Sequence, residues 1–126
     1  MKKILIVGIG SIGRRHIENF SNFFDIIDIA DIQEDRVLKA KKDFKINNTF
    51  LDYKIAINSN KYDAIAITTP PHLHLEIATQ AVHKNINLFI EKPLGISCLG
   101  WSDILDICDQ KKLISYIAYC HRYIPY

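Results

Sequence analysis

A chain of 126 residues with 48% hydrophobic, 24% charged and 10% aromatic side chains has the profile of one globular domain, with room for one sizeable core and not for two. The 16 basic and 14 acidic residues leave a net charge of +2, and neither sign forms a long run. Nucleic acid and anionic membrane surfaces are thereby excluded as leading partners.

Met1-Lys2-Lys3 followed by Ile4-Leu5-Ile6-Val7 imitates the start of a secretory signal, but glycines and then Arg14-Arg15-His16 interrupt it, and no small-residue cleavage site follows. The run is better taken as a first strand over 3–7. Further Ile- and Val-rich runs predict strands over 26–30, 64–68, 88–90 and 113–119, and such continuous apolar runs suit strands buried on both faces. Helical spacing fills the intervals. Ile12, His16 and Phe20 share a stripe over 11–24; Val37, Leu38, Lys41 and Phe44 do so over 35–44. Leu73, Ile77, Ala81 and Lys84 mark 72–84, and Trp101, Ile104, Leu105 and Cys108 give an apolar face within 97–112. Residues 58–61 read as a polar turn. Alternating strands and helices predict right-handed βαβ units on a parallel sheet, an α/β doubly wound fold in a single domain. No apolar stretch approaches the ~20 residues that cross a bilayer. Cys98, Cys108 and Cys120 are odd in number, lack C-x-x-C spacing and lie among apolar residues, so they are expected to be buried, reduced thiols of a cytoplasmic protein.

Gly8-Ile9-Gly10-Ser11-Ile12-Gly13 is a complete G-x-G-x-x-G. Alone the pattern is weak, and a glycine-rich strand-to-helix turn without a ligand would satisfy it. Here it follows a strand, opens a helix and precedes a second strand ending in Asp31, 18 residues after Gly13, near the ~20 of the dinucleotide fingerprint. Gly8 would make the tight turn, Gly10 would admit the pyrophosphate, Gly13 would let helix and strand pack closely, and free N–H groups of Ser11 and Ile12 would face the phosphates. Asp31 would accept from the adenosine ribose and repel a 2′-phosphate, which favours NAD over NADP. Asp28 and Asp35 are neighbouring carboxylates that compete for this assignment, but strand alternation puts Asp31 at the carboxyl end, where open α/β sheets bind ligands; Arg36 is within reach of the region.

Thr68-Thr69-Pro70-Pro71-His72 must turn the chain out of the sheet, because proline lacks the amide donor and biases the residue before it toward extended geometry. His72 and His74 form an H-x-H without a third ligand, so no metal is expected. Both can lie in the first turn of a helix, and His72 is left between a cofactor or substrate edge and a plain surface or capping role. Glu91-Lys92-Pro93 ends the strand over 88–90 and would point Lys92 into the crevice that holds the glycine loop. Beside an oxidised nicotinamide, like-charge repulsion and partial burial would tune that lysine toward proton transfer. A surface Glu-Lys pair at a strand end is the alternative.

The motifs G-I-G-S-I-G-R-R-H, A-I-T-T-P-P-H-L-H, F-I-E-K-P-L and A-Y-C-H-R-Y-I-P resemble, in order and spacing, the cofactor domain of the Gfo/Idh/MocA oxidoreductases, the glucose-fructose oxidoreductase and inositol dehydrogenase family. The resemblance implies a Rossmann-type fold over 1–120 and a connection over 121–126 toward a C-terminal α/β substrate domain that these residues do not include. It implies a dinucleotide held by Gly8, Gly10, Ser11, Ile12, Gly13 and Asp31, with Thr68, Thr69, Pro70 and His72 along its path. It further places Glu91 at the nicotinamide, Lys92 in the catalytic position, Arg122 near nicotinamide and substrate, and a cis bond before Pro93. The implied activity is an NAD-dependent interconversion of secondary alcohol and ketone on a sugar, cyclitol or related polyol. The 126 residues alone are expected to bind cofactor with little turnover, and a homo-oligomer or a complementing C-terminal chain is an open partner. A non-catalytic dinucleotide-binding module is the other class of function, though it would leave Glu91-Lys92-Pro93 without a purpose.

Overall fold

The computed structural model of the chain describes residues 1–120 and 125. Six parallel strands form one sheet in the order β3-β2-β1-β4-β5-β6, from β1 (Lys3–Val7), β2 (Ile26–Ala30), β3 (Thr49–Phe50), β4 (Ala64–Ile67), β5 (Asn87–Glu91) and β6 (Ser115–Ala118). The connecting helices are α1 (Ser11–Phe20), α2 (Glu34–Asp43), α3 (Tyr53–Ser59), α4 (His74–His83) and α5 (Trp101–Lys111).

Strand alternation divides the apolar residues into two cores. Leu5 and Val7, with Ile65, Ile67, Leu88 and Ile90, pack beneath α3, α4 and α5. Ile4 and Ile6, with Ile27, Ile29 and Ala66, pack beneath α1 and α2, against Ile17, Val37 and Ala40. Successive side chains point to opposite faces, so an uninterrupted Ile and Val run serves both layers, as expected of a doubly wound sheet. The helices use narrower stripes than their spacing suggested. In α1 Gly13 and Ile17 are buried while Ile12 is exposed; Leu38 in α2 and Leu105 in α5 are also exposed. Small residues, the buried Gly13 of α1 and Ala40 of α2, let these helices lie close to the sheet, as expected of Gly13.

Two elements escaped the sequence. β3 has two residues, too few to show a period, and α3 has seven, of which only Ala56 and Ile57 are buried. Asp52 caps α3 by accepting the Lys54 N–H at 2.7 Å. Asn58 and Ser59, expected in a turn, complete that helix. α1 ends at Phe20 rather than 24, with the N–H groups of Phe23 and Phe24 both returning to the Phe20 carbonyl.

The thiols also differ from expectation: Cys108 is buried, whereas Cys98 and Cys120 are exposed. Cys98 lies on the connection before α5, not within the helix, and Cys120 lies beyond β6. Burial, followed by the neighbouring Asp109 carboxylate, raises the Cys108 thiol above its usual range and so suppresses its reactive thiolate. Iodoacetamide at neutral pH is therefore expected to modify two thiols of the native chain, the third reacting only after denaturation; intact mass reads the count.

Candidate functional site

The strand order reverses at β1, so the loops leaving β1, β2 and β4 meet over the carboxyl ends of the strands, where open α/β sheets bind ligands. They enclose a cleft of about 390 Å³ lined by Gly8, Gly10, Asp31, Thr68, Thr69, Pro70 and His72, together with Ile32, Arg36, Tyr53 and Leu73.

The glycine loop is built by close approach. Gly8 has φ +90°, and a Cβ there would lie 2.7 Å from the Thr69 amide nitrogen. A Cβ on Gly13 would collide with the Gly8 carbonyl oxygen. Gly10 is different: the one atom near its missing Cβ is the Arg36 guanidinium, at 4.0 Å. The first two glycines thus serve the fold, and the third leaves space. The Thr68 hydroxyl donates toward the carbonyls of Val7 (2.9 Å) and Gly8 (2.6 Å), tying the β4 loop to the glycine loop. The N–H groups of Ser11, Ile12 and Gly13 open α1 without intrahelical partners. Of these three residues the cleft lining includes none.

Three aspartates competed for one role, and their environments separate them. Asp28 is fully buried, accepting from the Asn48 N–H at 2.8 Å and the Tyr62 hydroxyl at 2.8 Å, and so braces β2 against its neighbours. Burial is the main cause that pushes the Tyr62 phenol well above its usual range, with the Asp28 hydrogen bond adding to it. Asp35 lies in the first turn of α2, where its charge suits the helix dipole. Asp31 alone faces the cleft. It is 8% exposed; its Oδ2 accepts the Ile9 N–H at 2.6 Å, its Oδ1 accepts the Gln33 N–H at 2.8 Å, and Arg36 Nη1 stands 3.6 Å away. Each carboxylate oxygen keeps a second lone pair.

Across the cleft the Thr69 hydroxyl is buried without a hydrogen-bond partner. A buried hydroxyl left unpaired is costly, and a polar ligand in the cleft would satisfy it. Tyr53, which sequence reasoning missed, donates to Glu76; desolvation first and that carboxylate second raise its phenol above the ordinary range. Its ring lines the cleft with Leu73 and Ile32 as an apolar wall.

His74, the first residue of α4, is fully buried, with Nε2 2.8 Å from the Thr69 carbonyl and Nδ1 3.0 Å from that of Leu94. It joins the cleft loop to the segment after Pro93. His72 instead sits exposed at the cleft rim.

Glu91 and Lys92 close β5 outside the cleft lining. The Lys92–Pro93 bond is cis, as the resemblance implied. Glu91 is held by His16, Nε2 to Oε1 at 2.8 Å, and its Oε2 accepts the Lys92 N–H at 3.1 Å. Lys92 is exposed, so the partial burial expected of it does not come from the described residues. Arg122 lies outside the described residues. Among the described residues no group of three or more His, Cys, Asp or Glu is arranged to hold a metal, and no helix is long and apolar enough to cross a membrane.

Residues 2–119 match the family described as oxidoreductase, NAD-binding Rossmann fold, designated GFO_IDH_MocA. The chain belongs to the Gfo/Idh/MocA oxidoreductase family. It is 27% identical over 123 residues to an uncharacterized oxidoreductase, YrbE, of Bacillus subtilis, covering 96% of this chain and 36% of that protein. It is 29% identical over 108 residues to inositol 2-dehydrogenase of Pseudomonas fluorescens, covering 82% of this chain and 32% of that protein. Its fold superposes on myo-inositol 2-dehydrogenase of Lactobacillus plantarum with a TM-score of 0.88 at 24% identity, covering 98% of this chain and 38% of that one. A scyllo-inositol dehydrogenase of Lactobacillus casei, solved with NAD(H) and scyllo-inositol, gives 0.87 at 23% identity, with 98% and 38% covered. The Gfo/Idh/MocA chain therefore spans about a third of the length of the relatives it matches, and the matched third is their NAD-binding part.

Proposed function

We propose that the cleft holds NAD, with the adenosine ribose on Asp31, the pyrophosphate over Gly10 and the open end of α1, and the chain of Thr69, Pro70 and His72 leading toward Glu91 and Lys92. The observation that carries this is the pairing of a carboxylate braced at the cleft wall with an unpartnered buried hydroxyl opposite it. The space above Gly10 suits the same ligand.

Bound NAD supplies hydride transfer at its nicotinamide ring. The chain's own residues do the rest. Lys92 Nζ takes the proton of the substrate hydroxyl as a secondary alcohol becomes a ketone, and returns it in the reverse direction. Glu91 holds the nicotinamide end, and Arg122 assists there. The substrate is a sugar, cyclitol or related polyol, its remaining contacts supplied by a further α/β domain or a complementing chain, with self-association as a further means of completing the site. Residues 1–120 act as the cofactor unit and 121–126 as the lead-out from it. Exposed Cys98 and Cys120 suit a reducing cytoplasm.

Titration of the purified chain with NAD and NADP tests the cofactor assignment. NAD is expected to bind at least about threefold more tightly, since Asp31 repels a 2′-phosphate; tighter NADP binding would overturn the use made of Asp31. The chain alone is expected to show little turnover with any polyol. In a protein that joins it to a substrate domain, Lys92→Met is expected to lower kcat by about 10²- to 10⁴-fold and leave the Kd for NAD unchanged.

A further inference from the structure

The helix that follows the glycine loop also carries a side chain that reaches the end of β5. His16, one turn beyond Gly13 on α1, places Nε2 2.8 Å from Oε1 of Glu91. A carboxylate oxygen only accepts, so Nε2 carries the hydrogen in this contact. The two side chains are 13% and 15% exposed, unlike the open surface pairs that contribute little.

Aromatic rings fix the imidazole in place. It stacks on Phe20 with centroids 5.5 Å apart and meets Phe89 edge-on at 4.9 Å. Phe89 in turn stacks on Tyr116 of β6 at 5.5 Å. The second oxygen of Glu91 accepts the Lys92 N–H. One carboxylate is thus held at both oxygens, by the glycine-loop helix on one side and by the backbone of the next residue on the other.

We propose that His16 is a positioning residue for the nicotinamide end of the site. It fixes Glu91 and, through Glu91, the backbone that presents Lys92. The proposal rests on the assignment of Glu91 and Lys92 to the nicotinamide end made above. It makes α1 a rigid link: the helix that receives the pyrophosphate at one end holds the residue beside the reactive lysine with its second turn. Neither the glycine fingerprint nor Glu-Lys-Pro requires such a link.

The test compares NAD with ADP-ribose, which lacks the nicotinamide ring, on the purified chain. His16→Phe keeps the ring contacts and removes the donor; His16→Gln puts an amide nitrogen where Nε2 was; Glu91→Gln changes the held group itself. His16→Phe is expected to weaken NAD by about five- to tenfold, the loss of one charge-assisted hydrogen bond felt through positioning, with ADP-ribose within about twofold. His16→Gln is expected to restore NAD to within about threefold. Weakening of both ligands alike, no weakening, or failure of glutamine to restore binding would each overturn the proposal. If His16→Phe does not fold, as judged by its melting transition, His16→Asn, too short to reach Glu91, takes its place under the same criteria. If Glu91→Gln leaves the ratio of NAD to ADP-ribose affinity unchanged, the nicotinamide-end assignment falls and the proposal falls with it; if Glu91→Gln shifts the ratio and the His16 variants do not, the proposal alone falls.

Discussion

Gly13→Ala is expected to lower the stability of the chain by about 2–4 kcal/mol, because the added methyl must displace the Gly8 carbonyl oxygen, a backbone atom held by the Thr68 hydroxyl. The Thr68 hydroxyl, 3.1 Å from the same methyl position, cannot yield without releasing the carbonyls of Val7 and Gly8. For a chain of this size such a loss corresponds to a fall in Tm of about 10 °C, which a thermal melt resolves. Gly10→Ala is the matched comparison. Its methyl meets only the Arg36 guanidinium at 4.0 Å, so the melt is expected to stay within about 2 °C while NAD affinity drops at least about tenfold, the methyl lying where the proposed binding mode puts the pyrophosphate. Identical melts for the two variants would show that the glycines are not divided between folding and binding as the geometry has it.

On the proposed binding mode, Asp31→Ala is expected to weaken NAD by about 30- to 100-fold, since the two ribose hydrogen bonds proposed for this charged acceptor would be lost together. It should also cost about 1–3 kcal/mol of stability, because the Ile9 N–H loses its acceptor at a buried site. The two effects separate in one further variant. Arg36→Ala leaves the carboxylate and its backbone donors in place and removes only a half-exposed cation 3.6 Å away. Its NAD affinity is expected to change less than about threefold, with a larger loss for NADP, whose extra phosphate has no other cation near Asp31 among the described residues. Calorimetric titration of the three proteins with both dinucleotides reads all of these differences.

The parts of this molecule visible in its sequence are those where one physical requirement dominates a run of residues. Ile4 to Val7 had to be a strand buried on both faces, and Gly8 to Gly13 had to be a tight turn into a helix; both lie where expected. Thr49-Phe50 and Tyr53–Ser59 were hidden because their length carries no period and their place is set by neighbours: Asp28 holds Asn48, and Asp52 caps Lys54. The cleft was legible in outline. Asp31 could be favoured over Asp28 and Asp35 by strand alternation, but the Tyr62 and Asn48 partners that occupy Asp28 come from distant segments. His74 was given no part for the same reason. A histidine in the first turn of a helix looks like a surface residue until the carbonyls of Thr69 and Leu94 are folded around it.

The position of β1 has a kinetic consequence. The first strand of the chain is a central one, with β2 on one side and β4 on the other. Ile4 meets Ile27 early, through a short crossover, but its other neighbour, Ala64, is reached only after two more helices and a strand have been made. The loop leaving β4 carries Thr68 and Thr69, so the glycine turn acquires its second wall in the slow, long-range step. A chain emerging from the ribosome is therefore expected to pair β1 with β2 before β4 closes the cleft. On the proposed binding mode, cofactor present during synthesis would meet a competent site only once β4 lies beside β1.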